Sequence, residues 1–542
     1  MSYVIMQVAL VFFWLLGLFL LTACSDTSTS DSAATAQINL QPIARISALY
    51  GNKSFGSALA TSKDGKVVAI GSKASKFQCV DSGHPVMVSK EEDTTNCSET
   101  SHEVGGVHVY HVDGDDTTGF VIKPFKQDAS FEFGADVSVS DDGQWLAVGA
   151  PKDSMHHPSD GTKCASSMTA TVATTDCTST VTTTTADGYQ AGAVYIFKYS
   201  DNDKNWELKH YVKPLYAQTS PFIDYQFGRT VALTSNGTGV IVGVPTDKNN
   251  ISGNVLAEPD LIVTQALARG ATFHYALDES SLTFKFYHQS PGSTPQKTGK
   301  IVQTLVDSEQ VAVAGVSIWF LASQTGKESN LDLSSLNLPA NVVISDVAQS
   351  SNMVVLGLEN MKSNCSGVKT GEDASGCYNG DGGVAEAGAI LIYHYTNQPV
   401  FEFQTLITLA QPIPNAHFGR SVMVSQDSQY IWVGADDNRG CVGSFDTIEA
   451  CTAENEADLN GSGAVYQYKK SGDTWVLDKF MKAAKVEANG NFGGSNQLFQ
   501  QGNLFYFGYE RSDLCNGYTS NIKDVCSSIL DLPTFNYEVR AN

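Results

Sequence analysis

The pair Phe-Gly recurs down the chain, each time opening a similar stretch, and that recurrence limits the possible folds more than any other feature. Phe55-Gly56 opens FGSALATSKDGKVVAIGS, and Phe133-Gly134 opens FGADVSVSDDGQWLAVGAP. Phe227-Gly228 opens FGRTVALTSNGTGVIVGVP, and Phe418-Gly419 opens FGRSVMVSQDSQYIWVGAD. A weaker copy, FGGSNQLFQQGNLFYFGY, begins at Phe492-Gly493. Two degenerate copies fit between the third and fourth clear ones: IVQTLVDSEQVAVAGVS from Ile301 and NVVISDVAQSSNMVVLGLEN from Asn341, which makes seven.

Each copy reads as a hairpin. Apolar residues alternate along a first strand, a polar turn with Asp-Gly or Asn-Gly intervenes, and a second apolar strand follows. After a long loop comes a third strand, expected over 106–110, 192–198, 271–275, 390–395 and 463–468. An outer fourth strand follows in Trp206-Glu207-Leu208-Lys209 and Trp475-Val476-Leu477-Asp478. Radial repetition of such units predicts an all-β, seven-bladed β-propeller of four-stranded antiparallel blades over 38–542. A sandwich or stacked β-solenoid is the rival, and it explains long repeats with long insertions less well. Ring closure is expected in the last blade, where residues 38–49 supply the outer strand beside Phe535–Val539, so that no free edge remains.

The repeats resemble the FG-GAP repeats of integrin alpha-subunit propellers and their bacterial relatives, over about residues 38–542. The repeat glycines Gly56, Gly134, Gly228, Gly419 and Gly493 are expected where backbones of neighbouring blades approach closely. The preceding Phe would pack between adjacent sheets, and Gly149-Ala150-Pro151 would end a second strand without a protruding side chain. The resemblance implies a partner-binding face at the loops between second and third strands. It also suggests calcium, which the residues argue against. The hairpin turns read Ser62-Lys63-Asp64-Gly65, Ser140-Asp141-Asp142-Gly143, Thr234-Ser235-Asn236-Gly237 and Ser425-Gln426-Asp427-Ser428. A calcium ion takes six to eight oxygen ligands, more than such turns supply. Asp113-Gly114-Asp115-Asp116 and Asp201-Asn202-Asp203 are richer but fall between third and fourth strands.

The remaining signals concern address. Residues 8–23 are almost wholly apolar and end in Leu21-Thr22-Ala23-Cys24, which reads as a targeting segment over 1–23. Leu-Thr-Ala-Cys resembles the lipobox of bacterial lipoproteins, which implies acylation of the Cys24 thiol. Ser25 after it resembles the pattern of outer-membrane sorting in Gram-negative bacteria, on the periplasmic side or the cell surface. No Lys or Arg precedes the apolar run, and an uncleaved anchor is the competing reading, since about 20 apolar residues span a bilayer. Residues 24–37 read as a flexible polar tether.

The other ten cysteines fall into five local pairs: Cys79-Cys97, Cys164-Cys177, Cys365-Cys377, Cys441-Cys451 and Cys515-Cys526. An oxidising compartment would let them bridge, each closure removing roughly 3 kcal/mol of unfolded-state entropy. No C-x-x-C or standard histidine spacing supports a metal. With 57 acidic against 34 basic residues the formal charge is −23, which disfavours nucleic acid and anionic lipid surfaces and favours basic or cation-bearing partners.

Candidate functional residues are sparse. The loops between second and third strands carry Asp153, Asp160, Glu372, Asp373, Asp381, Asp436, Asp437 and Asp513, either a surface for a basic partner or a solvated rim. His156-His157 is adjacent but lacks a third ligand at defined spacing. Trp145, Trp319, Trp432 and Trp475 sit in strand patterns, where core packing explains them better than a sugar platform. No G-x-S-x-G, H-E-x-x-H or phosphate-cradling loop occurs, so no catalytic residue and no cofactor is expected. The expected function is an envelope-associated binding or assembly module with a protein or glycan partner; a polysaccharide hydrolase or lyase is the alternative.

Overall fold

The structure is a computed structural model. It describes most of residues 40–539, leaving out 1–39, 540–542 and parts of loops, chiefly 156–167, 170–190, 215–224, 256–268, 334–341, 452–460, 484–490, 508–516 and 520–534. Leu40–Val539 is one compact unit.

The sixth sheet in chain order shows why these residues form strands. Ser421–Val424 and Tyr430–Ala435 pair antiparallel with Val422 opposite Val433 and Met423 opposite Trp432. Both are buried along their whole length. A strand covered on both faces reads as a continuous apolar run rather than an alternating one. Ala464–Ser471 and Thr474–Lys482 follow outward, and the latter alternates where it reaches the rim. The hairpin turn closes through Ser425, whose Oγ donates to Asp427 and accepts the N–H of Tyr430 at 2.8 Å.

The expected seven blades of four strands need correction. Five sheets, not seven, carry the full repeat, and each has five strands, not four. The fifth strands are Val88–Lys90, Met168–Thr169, Gly253–Val255, Val368–Thr370 and Gly443–Phe445. Each comes from the loop between second and third strands, runs back along the outer edge of the fourth, and pairs with it antiparallel. The physical reason is the edge: a fourth strand left bare would present unpaired N–H and C=O groups, and the chain's own loop covers them. Among the described residues three more sheets differ from these five, the smallest formed by Phe77–Asp81, His84–Pro85 and Cys97–Glu99 within the first sheet's loop. The one over Ile301–Leu331 has four strands. The other is composite: Leu498–Gln501, Leu504–Phe507 and Phe535–Val539 continue into Leu40–Ser47 and then Gly517–Thr519. Leu40 lies opposite Val539 and Arg45 opposite Thr519, so both ends of the unit share a sheet.

The sheets are arranged as an all-β propeller. Core clusters run across neighbouring sheets: Val107, Phe120 and Ile122 of the first pack with Phe133, Val148 and Tyr195 of the second. Gly149 on a second strand faces the carbonyl oxygen of Gly228 in the next sheet, and a Cβ there would lie 2.1 Å from it. Gly71, Gly243, Gly357 and Gly434 make the same approach to Gly134, Gly299, Gly419 and Gly493. The repeat glycine itself has positive φ, 83° at Gly134 and 93° at Gly419, which a side chain would strain. First strands are also tied to each other. Asp136 accepts the N–H of its own Val137 at 3.0 Å and of Val231 in the next sheet at 2.8 Å. Asp346 does the same with Val347 and Val422. Burial pushes both carboxyls up to about 7.

Candidate functional site

Antiparallel order decides where the loops emerge. Each second strand ends, and each third begins, at the end of its sheet that carries the Phe-Gly pair. Gly105, Gly192, Gly270, Gly388 and Gly463, just ahead of the third strands, bridge in parallel to Phe133, Phe227, Thr298, Phe418 and Phe492 of the next repeat. The loops between second and third strands therefore leave from one end of the propeller, and the Ser-x-Asp-Gly turns lie at the other. Within the described residues Cys79–Cys97, Cys365–Cys377 and Cys441–Cys451 are bridged in these loops. The expected pairs Cys164-Cys177 and Cys515-Cys526 lie outside them, as do Cys24, Asp160, Glu372, Asp373, Asp381, Asp513, His156 and His157.

Beneath the loops sits a repeated internal anchor. In the second sheet Asp153 and Lys213 are both fully buried and 2.9 Å apart. The Tyr195 and Tyr211 hydroxyls donate to the same carboxylate at 2.7 and 3.0 Å. The Asp153 carbonyl accepts the N–H of Gly192, which starts the third strand. One residue thus joins the end of the second strand, the start of the third and the end of the fourth. The sixth sheet repeats it: Lys482 Nζ lies 3.3 Å from Asp437 Oδ1 and donates to the Gly463 carbonyl at 2.6 Å. In the third sheet Asp247 accepts from Tyr225 and Tyr287 at 2.9 and 3.0 Å, while Gln289 replaces the lysine. Burial lowers the Lys213 amine and Asp153 opposes that fall. Lys482 is lowered to about 8 by burial, again against its aspartate.

The acidic loop collection is corrected by this arrangement. Asp153 and Asp437 are interior ion-pair partners, 0% and 5% exposed, and are no part of a solvated rim. Asp436 is tied by Arg420 and His417. The missed signal was a lysine closing the fourth strand in Ile122-Lys123-Pro124, Val212-Lys213-Pro214 and Met481-Lys482-Ala483.

The turns at the opposite end use their own acids. Ser62 donates to Asp64 at 2.7 Å, and the Lys66 N–H reaches the same oxygen at 3.0 Å. Ser140 with Asp142, Thr234 with Asn236 and Ser425 with Asp427 repeat the pattern. Asp203 accepts from Ser200 at 2.7 Å. Among the described residues no three His, Cys, Asp or Glu side chains gather as a metal site. Trp145, Trp432 and Trp475 are buried, and Trp319 packs against Leu321 and Phe286. Trp432 Nε1 donates to Gln467 at 2.9 Å. None forms an exposed platform.

One partly exposed cluster joins two sheets at the loop end. His417 Nδ1 lies 2.7 Å from Asp436 Oδ2, and its Nε2 lies 3.2 Å from Glu386 of the preceding sheet's loop. The hydrogen bond to Asp436 raises the imidazole's affinity for its proton. A raised pKa stabilises the folded state fully below the unfolded value near 6.5, and that gain disappears as pH rises through the folded value. His417→Gln should therefore narrow its stability deficit as pH rises from 6 to 8.5. Denaturant midpoints across that range check this; a deficit independent of pH contradicts it.

No family model matches the chain, and no curated protein matches it. Among solved structures, the Dos1 propeller is similar over 92% of this chain and 95% of its own, at 9% identity and a TM-score of 0.41. Hydrazine synthase of Kuenenia stuttgartiensis is similar over 85% of this chain and 93% of its own, at 9% identity and a TM-score of 0.39. An acylaminoacyl peptidase of Pyrococcus horikoshii is similar over 85% of this chain and 51% of its own, at 8% identity and a TM-score of 0.36. At these identities and scores they say nothing of activity, and the propeller rests on the sheet order itself.

Proposed function

We propose that this chain is an FG-GAP-like propeller that serves as a binding or assembly module at the bacterial cell envelope. Cys24 would be lipidated and hold the module at the outer membrane by its polar tether. The partner would be an envelope or extracellular protein, or a glycan, met by the loops between second and third strands. The observation that carries this reading is how those loops are held where they leave one end of the propeller. Among the described residues disulfides staple three of them, short fifth strands tie five to the rim, and buried Asp–Lys pairs hold the roots of two. Prefixed loops lose little conformational entropy on meeting a partner, which is what a recognition surface needs.

The loop Cys365–Cys377 offers a stability test. Its two residues are half-buried and buried beside the fifth sheet's core. Replacing both by serine should cost about 3 kcal/mol in denaturant unfolding. A change under about 0.5 kcal/mol would mean that the bridge constrains nothing. For the binding role, purified protein carrying a Gly-Ser segment in place of residues 366–376 or 442–450 should lose saturable binding to envelope vesicles. Retained binding with both replaced contradicts the proposed face. Labelling with radioactive palmitate, lost in Cys24→Ser, tests the anchor separately.

A further inference from the structure

The third strand of each full sheet turns one face toward the next sheet, and in the third sheet that face is polar. In the second sheet Val194 and Ile196 fill it, with Val212 opposite Val194 on the fourth strand. In the fifth sheet Ile390 and Ile392 do so, with Ile407 opposite Ile390. At the same register the third sheet places Thr272 and His274, with His288 opposite Thr272. All three are 0% exposed. The apolar cluster at this junction joins Ala232, Ile241 and Phe286 of the third sheet to Val302 and Leu321 of the fourth.

The geometry suits uncharged rings. His274 stacks on Phe286 with centroids 3.9 Å apart, and its Nε2 pairs with Thr272 Oγ1 at 2.9 Å. Its Nδ1 has no hydrogen-bond partner among the described residues. An imidazolium carries a proton on both nitrogens, so charging His274 would bury an N–H with nothing to accept it. His288 packs against Trp319 of the fourth sheet at 5.4 Å, and a second charge there would repel the first. Burial lowers both rings, His288 to about 4, and His288 lowers His274 further.

The other ionisable residues on the strands of the two sheets are few. Tyr275 and Tyr287 pack in the core shared with the second sheet, and Lys285 takes the alternate position beside Phe286. On the fourth sheet Glu328 lies opposite Leu321 on the outermost strand. Lys300, just ahead of that sheet's first strand, reaches the Ile344 carbonyl of the fifth sheet at 3.5 Å. Nearer the axis the third and fourth sheets are tied, because Thr230 Oγ1 donates to the Gly299 carbonyl at 2.8 Å.

We propose that the junction between the third and fourth sheets is an acid-opened seam: protonation of His274 and His288 parts the outer strands while Thr230 keeps the inner ones tied. Opening returns both rings to water, where a histidine takes its proton near pH 6.5. Between there and the lowered values of the closed seam, the open form binds more protons. Opening therefore grows as pH falls. The seam works whether or not the loop end binds a partner.

Amide hydrogen exchange of the full chain between pH 6.5 and 5, corrected for intrinsic rates, tests it. The opening constant of residues 272–276 and 318–321 should rise about two hundredfold over that interval, at about fifteenfold for each histidine. Residues 464–468 of the sixth sheet, where Gln467 and Met481 stand at the registers of His274 and His288, should not follow. His274→Gln and His288→Met, which copy that sheet, should each keep a rise of only about fifteenfold. A wild-type rise under about fifteenfold, an equal rise in residues 464–468, or an undiminished rise in either variant overturns the proposal. If one variant fails to fold, the other decides with the wild type.

Discussion

Gly149→Val should unfold the propeller or lower its stability by about 4 kcal/mol, in the range of the severe core substitutions. The cause is local and has no easy relief. A Cβ at this position would lie 2.1 Å from the Gly228 carbonyl oxygen, which belongs to backbone and not to a yielding side chain. Gly228 is itself held at φ 81° by the turn that opens the third sheet. Its N–H and C=O neighbours are engaged in pairing across the blade junction. Either the sheets part or the second strand bends, and both break the shared core of Trp145, Val194, Phe227 and Val242. Gly367, around which a Cβ meets nothing within 4 Å, is the control; its φ of 72° sets a smaller backbone cost for Ala. Thermal melting of Gly149→Val and Gly367→Ala checks the contrast. Equal melting temperatures would mean that the blades are not in the close contact described.

The second large effect concerns the buried pair of the second sheet. Lys213→Met leaves Asp153 charged in the interior with only hydroxyl and backbone donors, and Asp153→Asn leaves Lys213 without its counter-charge. Breaking a buried pair from one side costs about 3–5 kcal/mol, whereas removing both charges is often far cheaper. Each single variant should therefore lose about 4 kcal/mol in denaturant unfolding. The double variant Asp153→Asn with Lys213→Met should be more stable than either. Additive losses would show that the two residues act separately, and the anchor would then be two unrelated burials.

Much of this fold was legible because the strands nearest the axis carry dense signals. Val422 to Val424 and Tyr430 to Ala435 are covered on both faces, so their apolar run is long and unbroken. The glycines at Gly134 and Gly228 were readable for the same reason, since close backbone approach excludes side chains. The fifth strands were not legible. Met168–Thr169 and Gly443–Phe445 are too short to show a period, and they form only because a fourth strand offers an open edge. The anchor escaped notice because its members are distant: Lys213 lies 60 residues from Asp153, and Lys482 lies 45 from Asp437. An aspartate in a polar loop looks solvated until its lysine is located.

Local conformation at the blade junctions was hidden in a different way. Glu132, Gln226, His417 and Asn491 each precede the repeat Phe, and each has positive φ, from 47° to 60°. They share no residue type that would announce this. What they share is a turn, in which the carbonyl of each accepts an N–H three residues on, as from Ala135 to Glu132 and from Arg420 to His417. The tertiary junction imposes the conformation, and the side chain is free to vary, which is how His417 came to join the cluster with Asp436 and Glu386.

The claim on which the functional account rests is that recognition belongs to the loop end and not to the turn end. Binding of the purified protein to envelope vesicles, measured for two sets of variants, tests it most directly. One set replaces residues 366–376 and 442–450; the other exchanges exposed turn residues Asp64 and Asp142 for alanine. The account predicts that the loop set loses saturable binding while the turn set keeps it. Binding lost in the turn set and kept in the loop set would contradict it.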